Sequence, residues 1–311
     1  MSQNTSKNKI IGIVGATASG KTELAMRIAG QMNCEIVCMD SMQIYRYMDI
    51  GTAKPTRQER LRIPHHMVDF LLPDASFSVA QYTDMARNII DDIFRRGHIP
   101  MLVGGTGLYL RGLSLQQDYG GLPSDPAVRE ELNRLLKTCG PQNLHAMLAE
   151  ADPSTASRLH PNDTRRVVRA LEIFRTTGIP MSSHRTPLSA DSPYDFFLYA
   201  PDLPREELHM RINDRVDRMM RNGLLDEVKA LIRMGITSDM QSMQGLGYKQ
   251  LFPVLTHGED LTNAVERIKT GTRNYARRQL IWFRRDPRIH WLDISSMENA
   301  MKIISDDWEN K

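Results

Sequence analysis

The chain has 311 residues, 41% of them hydrophobic, enough for one large α/β domain or a core carrying an insertion. No apolar run approaches the roughly eighteen residues of a membrane span, and a net charge of +3 identifies no partner by itself. Three cysteines, Cys34, Cys38 and Cys139, lack metal-ligand spacing and an even count, which argues against a disulfide scaffold and fits a reduced, cytoplasmic compartment, with a monomer as the default expectation.

The first nine residues are polar, lack a secretory h-region and read as a frayed terminus. Ile10, Ile11, Ile13 and Val14 form a buried strand, and Leu24, Ala25 and Ile28 recur at helical spacing. Between them stands Gly15-Ala16-Thr17-Ala18-Ser19-Gly20-Lys21-Thr22, a match to G-x-x-x-x-G-K-[ST] in the strand, loop and helix context that phosphate binding requires. Glycines let successive N–H groups point inward, the helix dipole adds positive potential, Lys21 supplies a mobile cation, and the Thr22 hydroxyl is placed to bind Mg²⁺.

Glu35 to Met39 is a second strand, ending in Asp40-Ser41. Residues 42–64 show no period and are expected to form a substrate-facing connection with one helical turn; His65 to Leu72 contains a short strand. Ser78-Val79-Ala80-Gln81 is a capping box for a helix ending at Gly97, and Ile99 to Val103 is a third buried strand emptying into Gly104-Gly105-Thr106-Gly107. Strands alternating with helices predict a parallel sheet whose ligands collect at the carboxyl ends of its strands, so Gly15, Asp40 and Thr106 should converge.

From Ser124 to Ser192 the pattern becomes helical, over Val128–Leu136, Leu144–Leu148 and Val167–Phe174, and reads as an insertion. Phe196 to Ala200 is a returning strand. Helices follow from Pro204 to Met220, Leu224 to Met234 and Leu261 to Phe283, then a short strand at His290 to Asp293 and a terminal helix. The expected architecture is an α/β fold, a P-loop NTPase-like parallel sheet core with flanking helices and an all-helical insertion domain. Its divisions are residues 1–123, 124–194 and 195–311.

The third strand ends without an acid, unlike a motor ATPase; Asp40 is the better placed carboxylate, either as a general base aimed at the phosphate site or as a cap of its own turn. Between Arg267 and Arg288 eight basic residues face the single acid Asp286, a local charge of +7. Arg273, Arg277 and Arg284 form one expected stripe of the last long helix, with Ile268, Tyr275 and Trp282 on another. Arg165, Arg166 and Arg169 make a second basic cluster, and Arg211 with Arg215 a third; together they favour a polyanion such as nucleic acid.

Several segments in order then resemble one family. Gly15 to Thr22, Asp-Ser-Met-Gln-Ile-Tyr at Asp40 to Tyr45, Asp-Ile-Gly-Thr-Ala-Lys-Pro at Asp49 to Pro55, and Val-Gly-Gly-Thr-Gly-Leu-Tyr at Val103 to Tyr109 are similar to the tRNA dimethylallyltransferases, or tRNA isopentenyltransferases. His-Pro-Asn-Asp at His160 to Asp163 and Gly-Leu-Gly-Tyr-Lys at Gly245 to Lys249 continue the likeness to about Arg284, and no Cys/His zinc-finger pattern follows Trp291, as expected of the bacterial type.

The resemblance implies transfer of a dimethylallyl group from dimethylallyl diphosphate to N6 of the adenosine 3′-adjacent to the tRNA anticodon, releasing pyrophosphate with Mg²⁺. By the same resemblance Gly15, Ala16, Thr17, Ala18, Ser19, Gly20, Lys21 and Thr22 would hold the diphosphate. Asp40 would take the N6 proton, Thr106 would bond the bridging oxygen, and Arg215 would balance the leaving charge. The stretches expected to contact tRNA are Asp40, Ser41, Met42 and Gln43; Arg165, Arg166, Val167, Val168 and Arg169; Gln244, Gly245, Leu246, Gly247, Tyr248 and Lys249; and, apart from these, Arg129. Two positions depart from the family pattern, Ala16 where proline is common and Gln244 where a basic or small residue is frequent.

The chemistry suits those roles. An exocyclic adenine amine has a delocalised lone pair and gains from a base, the allyl group spreads charge as pyrophosphate departs, and a stacked adenine must be flipped out to react. Other readings are a P-loop small-molecule kinase using ATP, a prenyltransferase of free adenine nucleotides, and a noncatalytic RNA-binding module.

Overall fold

The computed structural model describes residues 7–114, 124–184 and 192–310. The chain divides into two compact units, one formed by residues 1–114 and 192–311, the other by residues 115–191.

The larger unit begins with β1 (Asn8–Val14), α1 (Lys21–Gln31), β2 (Cys34–Met39), α2 (Arg57–Arg62), β3 (His65–His66), α3 (Val79–Arg95), β4 (Ile99–Gly104) and α4 (Gly107–Ser114). The smaller unit contains α5 (Pro126–Ala151), α6 (Pro153–Ala156) and α7 (Thr164–Thr177). The larger unit resumes with β5 (Tyr194–Asp202), α8 (Arg205–Arg221), α9 (Leu224–Arg233), α10 (Tyr248–His257), α11 (Leu261–Phe283), β6 (Ile289–Asp293) and α12 (Met297–Glu309).

Six strands form one sheet in the order β3-β2-β4-β1-β5-β6, every pairing parallel. The apolar runs are continuous because helices cover both faces. Ile11, Ile13, Ile36 and Met101 pack against Leu24 and Ile28 of α1 and Ala300 and Ile304 of α12. Ile10, Val37, Leu102 and Leu198 point the other way, into a core shared with Tyr82, Ala86 and Ile90 of α3 and Phe283 of α11. α3 starts at the capping box read in the sequence, Ser78 and Gln81 each bonding the other's backbone N–H.

The register pairs Gly104 with Val14 on one side and Met39 on the other. Gly15, Asp40 and Gly105 therefore leave the sheet side by side, as expected. Gly104 makes this closeness possible, since a Cβ there would meet the Met39 carbonyl oxygen at 2.2 Å.

Three features differ from the sequence reading. α4 and α10 went unassigned, being short; α10 also opens at Gly247, whose φ is +95°, and contains Pro253. The core face of α11 is Ala264, Ile268, Thr272, Ala276, Gln279 and Phe283, where two alanines, a threonine and a glutamine weaken the apolar signal around Ile268 and Phe283. Of the expected apolar stripe only Ile268 belongs to that face, while Trp282 is exposed.

In the smaller unit α5 is broken where Gly140 takes φ 82° and ψ 169° ahead of Pro141, which has no N–H to donate. Leu132, Leu144, Leu148, Val167 and Leu171 form its core. Glu172 is fully buried there and receives Arg129 Nη2 and Arg169 Nη1, both at 2.9 Å, with the Ser124 hydroxyl at 3.1 Å. No described helix is long and apolar enough to cross a membrane.

Candidate active site

Gly15 and Gly20 adopt φ +139° and +88°, values that favour glycine, and so curl the chain between β1 and α1. Lys21 folds back over the curl, its Nζ donating to the Ala16 carbonyl at 3.0 Å. Ala16 faces inward among Leu208, Ile212 and Ala276, so the loop turns backbone rather than this side chain to its ligand face. Ser19 Oγ is buried with no hydrogen-bond partner, a polar atom left for a ligand.

Above the loop lies a cavity of about 350 Å³ lined by residues 18–22, Arg211, Asp214, Arg215 and Arg218. Arg211, Arg215 and Arg218 recur at helical spacing on α8 and bring three guanidinium groups over the start of α1. Burial, reinforced by the Arg215 charge and opposed by Asp40, lowers the Lys21 ammonium to about pKa 8. Burial likewise lowers Arg215, against the pull of Asp40. Two desolvated cations meeting one carboxylate leave the site electron-poor, as an anion site must be.

A second cavity, about 480 Å³, shares Arg215 and Asp214's helix with the first. Its walls include Thr17, Asp40, Ser41, Thr52, Tyr248, Tyr275 and Arg278. Asp40 Oδ1 accepts from the Met42 and Gln43 amides at 2.9 and 3.4 Å, while no hydrogen bond among the described residues uses Oδ2. The two readings of Asp40 thus coexist: one oxygen caps the turn and the other is available to a substrate. Thr106 is tied to the same turn, its amide donating to Met39 at 3.0 Å and its hydroxyl accepting from the Ser41 amide at 3.3 Å. Burial and the nearby Asp40 charge push the Tyr275 hydroxyl up to about 12, keeping it protonated.

Two structurally central residues escaped the sequence reading. The Gln279 carboxamide accepts from the Thr17 amide at 2.9 Å and donates to the Gly105 carbonyl at 2.9 Å, joining the phosphate loop to the end of β4. A glutamine on the core side of a helix is the only signal it offered. Glu227 accepts from the amides of Asp49, Ile50 and Gly51 at 2.8, 2.7 and 3.0 Å and from the Tyr248 hydroxyl at 2.6 Å. In sequence it is one more acid in the first turn of an amphipathic helix.

The residues assigned to tRNA contact divide into accessible and structural groups. Asp40, Ser41, Met42, Gln244, Gly245, Leu246, Tyr248 and Lys249 line the larger cavity. Tyr248 is nevertheless 1% exposed and engaged with Glu227, and Gln43 donates to the Thr52 and Ala53 carbonyls, both at 3.1 Å. Gly247 starts α10. In the smaller unit the side chains of Val167 and Val168 belong to the core, which leaves the arginines of that stretch as its outward-facing side chains; Arg129 and Arg169 neutralise Glu172. Arg166 reaches Asp163 at 3.2 Å and is exposed.

The basic stretch of α11 is likewise less charged than its sequence suggests. Arg267 pairs with Glu259, Lys269 with Asp217 and Glu266, Arg284 with Asp202 and Arg288 with Asp286. Arg277, Arg278 and Arg285 make no ion pair among the described residues, and Arg278 lies 5.8 Å from the Tyr275 ring centroid.

A six-stranded parallel sheet with a glycine-rich loop after β1 and a carboxylate after β2 defines the class, the phosphate-loop α/β proteins. The chain matches the family model described as IPP transferase over residues 43–286, and the isopentenyl transferase model over residues 8–68. It is 48% identical over 288 residues to tRNA dimethylallyltransferase 2 of Geotalea uraniireducens, covering 92% of this chain and 93% of that one. The full-length tRNA isopentenylpyrophosphate transferase of Bacillus halodurans superposes with a TM-score of 0.73 at 40% identity, covering 98% of each chain. A eukaryotic dimethylallyltransferase acting on tRNA gives 0.80 at 32% identity, with 98% of this chain and 80% of that one covered. The chain belongs to the tRNA dimethylallyltransferase family.

Proposed function

We propose that this enzyme transfers a dimethylallyl group from dimethylallyl diphosphate to N6 of the adenosine 3′-adjacent to a tRNA anticodon, releasing pyrophosphate. The observation that carries the reading is the junction of two cavities at Arg215, one walled by the phosphate loop and the other by Asp40. A diphosphate in the first presents its allylic carbon toward the second, where an adenine amine approaches Asp40.

In this reading the loop amides, Lys21 and Arg215 hold the diphosphate and take up negative charge as the C–O bond breaks. Thr106 donates its hydroxyl proton to the bridging oxygen while its Oγ stays anchored by the Ser41 amide. Asp40 receives the N6 proton on the oxygen that does not cap the turn. Tyr275 and Ile268 contribute an aromatic and an aliphatic side chain to the wall of the cavity in which the allyl cation would form.

Thr22 and Asp214 line the diphosphate cavity and offer hard oxygen ligands that suit Mg²⁺. No group of three His, Cys, Asp or Glu side chains among the described residues could hold a metal, so the substrate's own phosphate oxygens would complete its shell. Bound there, Mg²⁺ would neutralise charge on the departing pyrophosphate.

The test is Asp40→Ala assayed with an anticodon stem-loop and labelled dimethylallyl diphosphate. Single-turnover prenylation should fall at least about 100-fold, the usual scale of a general base, with stem-loop affinity little changed. Unaltered prenylation removes Asp40 from the mechanism, and phosphate transfer from ATP without prenylation would overturn the reading.

A further inference from the structure

Arg215 stands where the two cavities meet, and among the described residues its one hydrogen bond goes to the main-chain carbonyl of Thr52, Nη2 donating at 3.5 Å. A carboxylate in that place would orient the guanidinium and also cancel its charge. A carbonyl orients it and leaves the charge for a ligand. The position of the Thr52 oxygen therefore decides where the cation points.

Thr52 lies outside any helix or strand, in the connection between β2 and α2. What fixes that connection is a buried cation. The Lys54 side chain is 2% exposed, and its Nζ donates to the Tyr45 carbonyl at 2.6 Å and meets Asp49 at 2.6 Å and Asp69 at 2.8 Å. Three acceptors for three N–H groups satisfy the ammonium completely. Around it the Thr52 hydroxyl donates to the Met48 carbonyl at 2.6 Å, and Gln43 Nε2 donates to the Thr52 carbonyl at 3.1 Å.

The backbone gathered by Lys54 is strained. Tyr47, Ala53, Met67 and Asp69 are non-glycine residues with φ between +47° and +65°. Such conformations persist where the surroundings over-determine them, and they collect at sites that use the geometry. An apolar side chain of the same length would fill the space of Lys54 without the cost of desolvating an ammonium, so stability alone is a weak reason for a buried ion hub.

We propose that Lys54 is a positioning residue for the transfer reaction: its ammonium fixes the Thr52 carbonyl, and that carbonyl aims the Arg215 guanidinium at the departing pyrophosphate. This rests on the prenyl-transfer reading above and adds to it the group that sets the direction of Arg215.

The experiment is a double-mutant cycle, read as single-turnover prenylation of a saturating anticodon stem-loop with labelled dimethylallyl diphosphate. Arg215→Ala alone should slow the reaction about 100-fold or more, the scale for removing one charge-stabilising group. An unchanged rate there defeats the reading of Arg215 and the inference with it. Lys54→Met should slow the otherwise wild-type enzyme about 10-fold or more, within what a small misplacement can cost, and should slow Arg215→Ala no further. Equal losses in the two backgrounds overturn the proposal, because Lys54 would then act on the fold and not through Arg215; an unchanged rate in Lys54→Met alone overturns it as well. Thr52→Val, which keeps the ion hub and removes only the hydroxyl bond to Met48, carries the same cycle if Lys54→Met does not fold. Its smaller loss should likewise vanish beside Arg215→Ala, and a loss that persists there counts against the proposal.

Discussion

The Gln279 carboxamide receives the Thr17 amide at 2.9 Å, so the last long helix of the larger unit grips the phosphate loop by its backbone. Its amide end donates to Gly105 at the same distance, beside Thr106. One side chain thereby sets the spacing between the loop that would hold the diphosphate and the hydroxyl that would meet its bridging oxygen.

Replacing Gln279 with leucine keeps the bulk and leaves Thr17 N–H and Gly105 C=O without partners. The expected loss is about 2–4 kcal/mol of stability, the lower part of the range for two groups at about 1–3 kcal/mol each, because the Thr17 bond is only partly buried. Turnover should fall more than diphosphate affinity, because spacing rather than charge is disturbed. Chemical denaturation and single-turnover kinetics read the two effects separately; a stable variant with normal turnover would refute the role.

Lys21 is cationic below about pH 8 and neutral above it. Affinity for dimethylallyl diphosphate should therefore weaken as pH rises through that value in the wild type. Lys21→Arg, which stays charged, should bind more weakly overall but with a flatter profile from about pH 7 to about pH 9. Calorimetric titration of both proteins over that interval makes the comparison, and parallel profiles would show that another group titrates.

Glu227 gathers three consecutive amides and the Tyr248 hydroxyl, fixing the loop whose Thr52 carbonyl faces Arg215 at 3.5 Å. Glu227→Ala should lower the melting temperature and raise KM for the tRNA substrate several-fold. Glu227→Gln, retaining one acceptor oxygen, should fall between. Wild-type melting and kinetics in the alanine variant would mean the loop holds itself.

Arginines of the smaller unit should separate into two kinds. Arg169→Ala leaves the buried Glu172 half-neutralised and should destabilise that unit by about 3 kcal/mol or more, the scale for breaking a buried pair. Arg166→Ala should leave melting unchanged and reduce the salt slope of tRNA binding by about one. Melting curves and binding at several salt concentrations distinguish them, and a normal slope for Arg166→Ala would place it outside the interface.

The sheet, the phosphate loop, Asp40 and Thr106 were legible because their signals are local: an apolar run followed by the residue that matters. The topology then brought Gly15, Asp40 and Gly105 together through parallel pairing, as strand–helix alternation implied. Gln279 and Glu227 were not legible because their partners lie 262 and about 177 positions away, and nothing nearby marks them. The arginine clusters misled in part for the same reason. Asp202, Asp217 and Glu259 neutralise residues of α11 and its C-cap from outside the stretch in which charge was counted.

Cys38 stands two residues before Asp40 on β2, buried, with its thiol donating to Gln43 Oε1 at 3.2 Å. Burial, seconded by the Asp40 charge, raises its pKa well above the usual thiol range. A sulfur so near Asp40 is therefore a poor nucleophile and a poor target for peroxide, and Cys34 is pushed up to about 12 by burial as well. Alkylating reagents should reach Cys139, the only one of the three that is not buried, well before Cys34 or Cys38. Oxidative conditions that inactivate thiol-dependent enzymes should accordingly leave this one working.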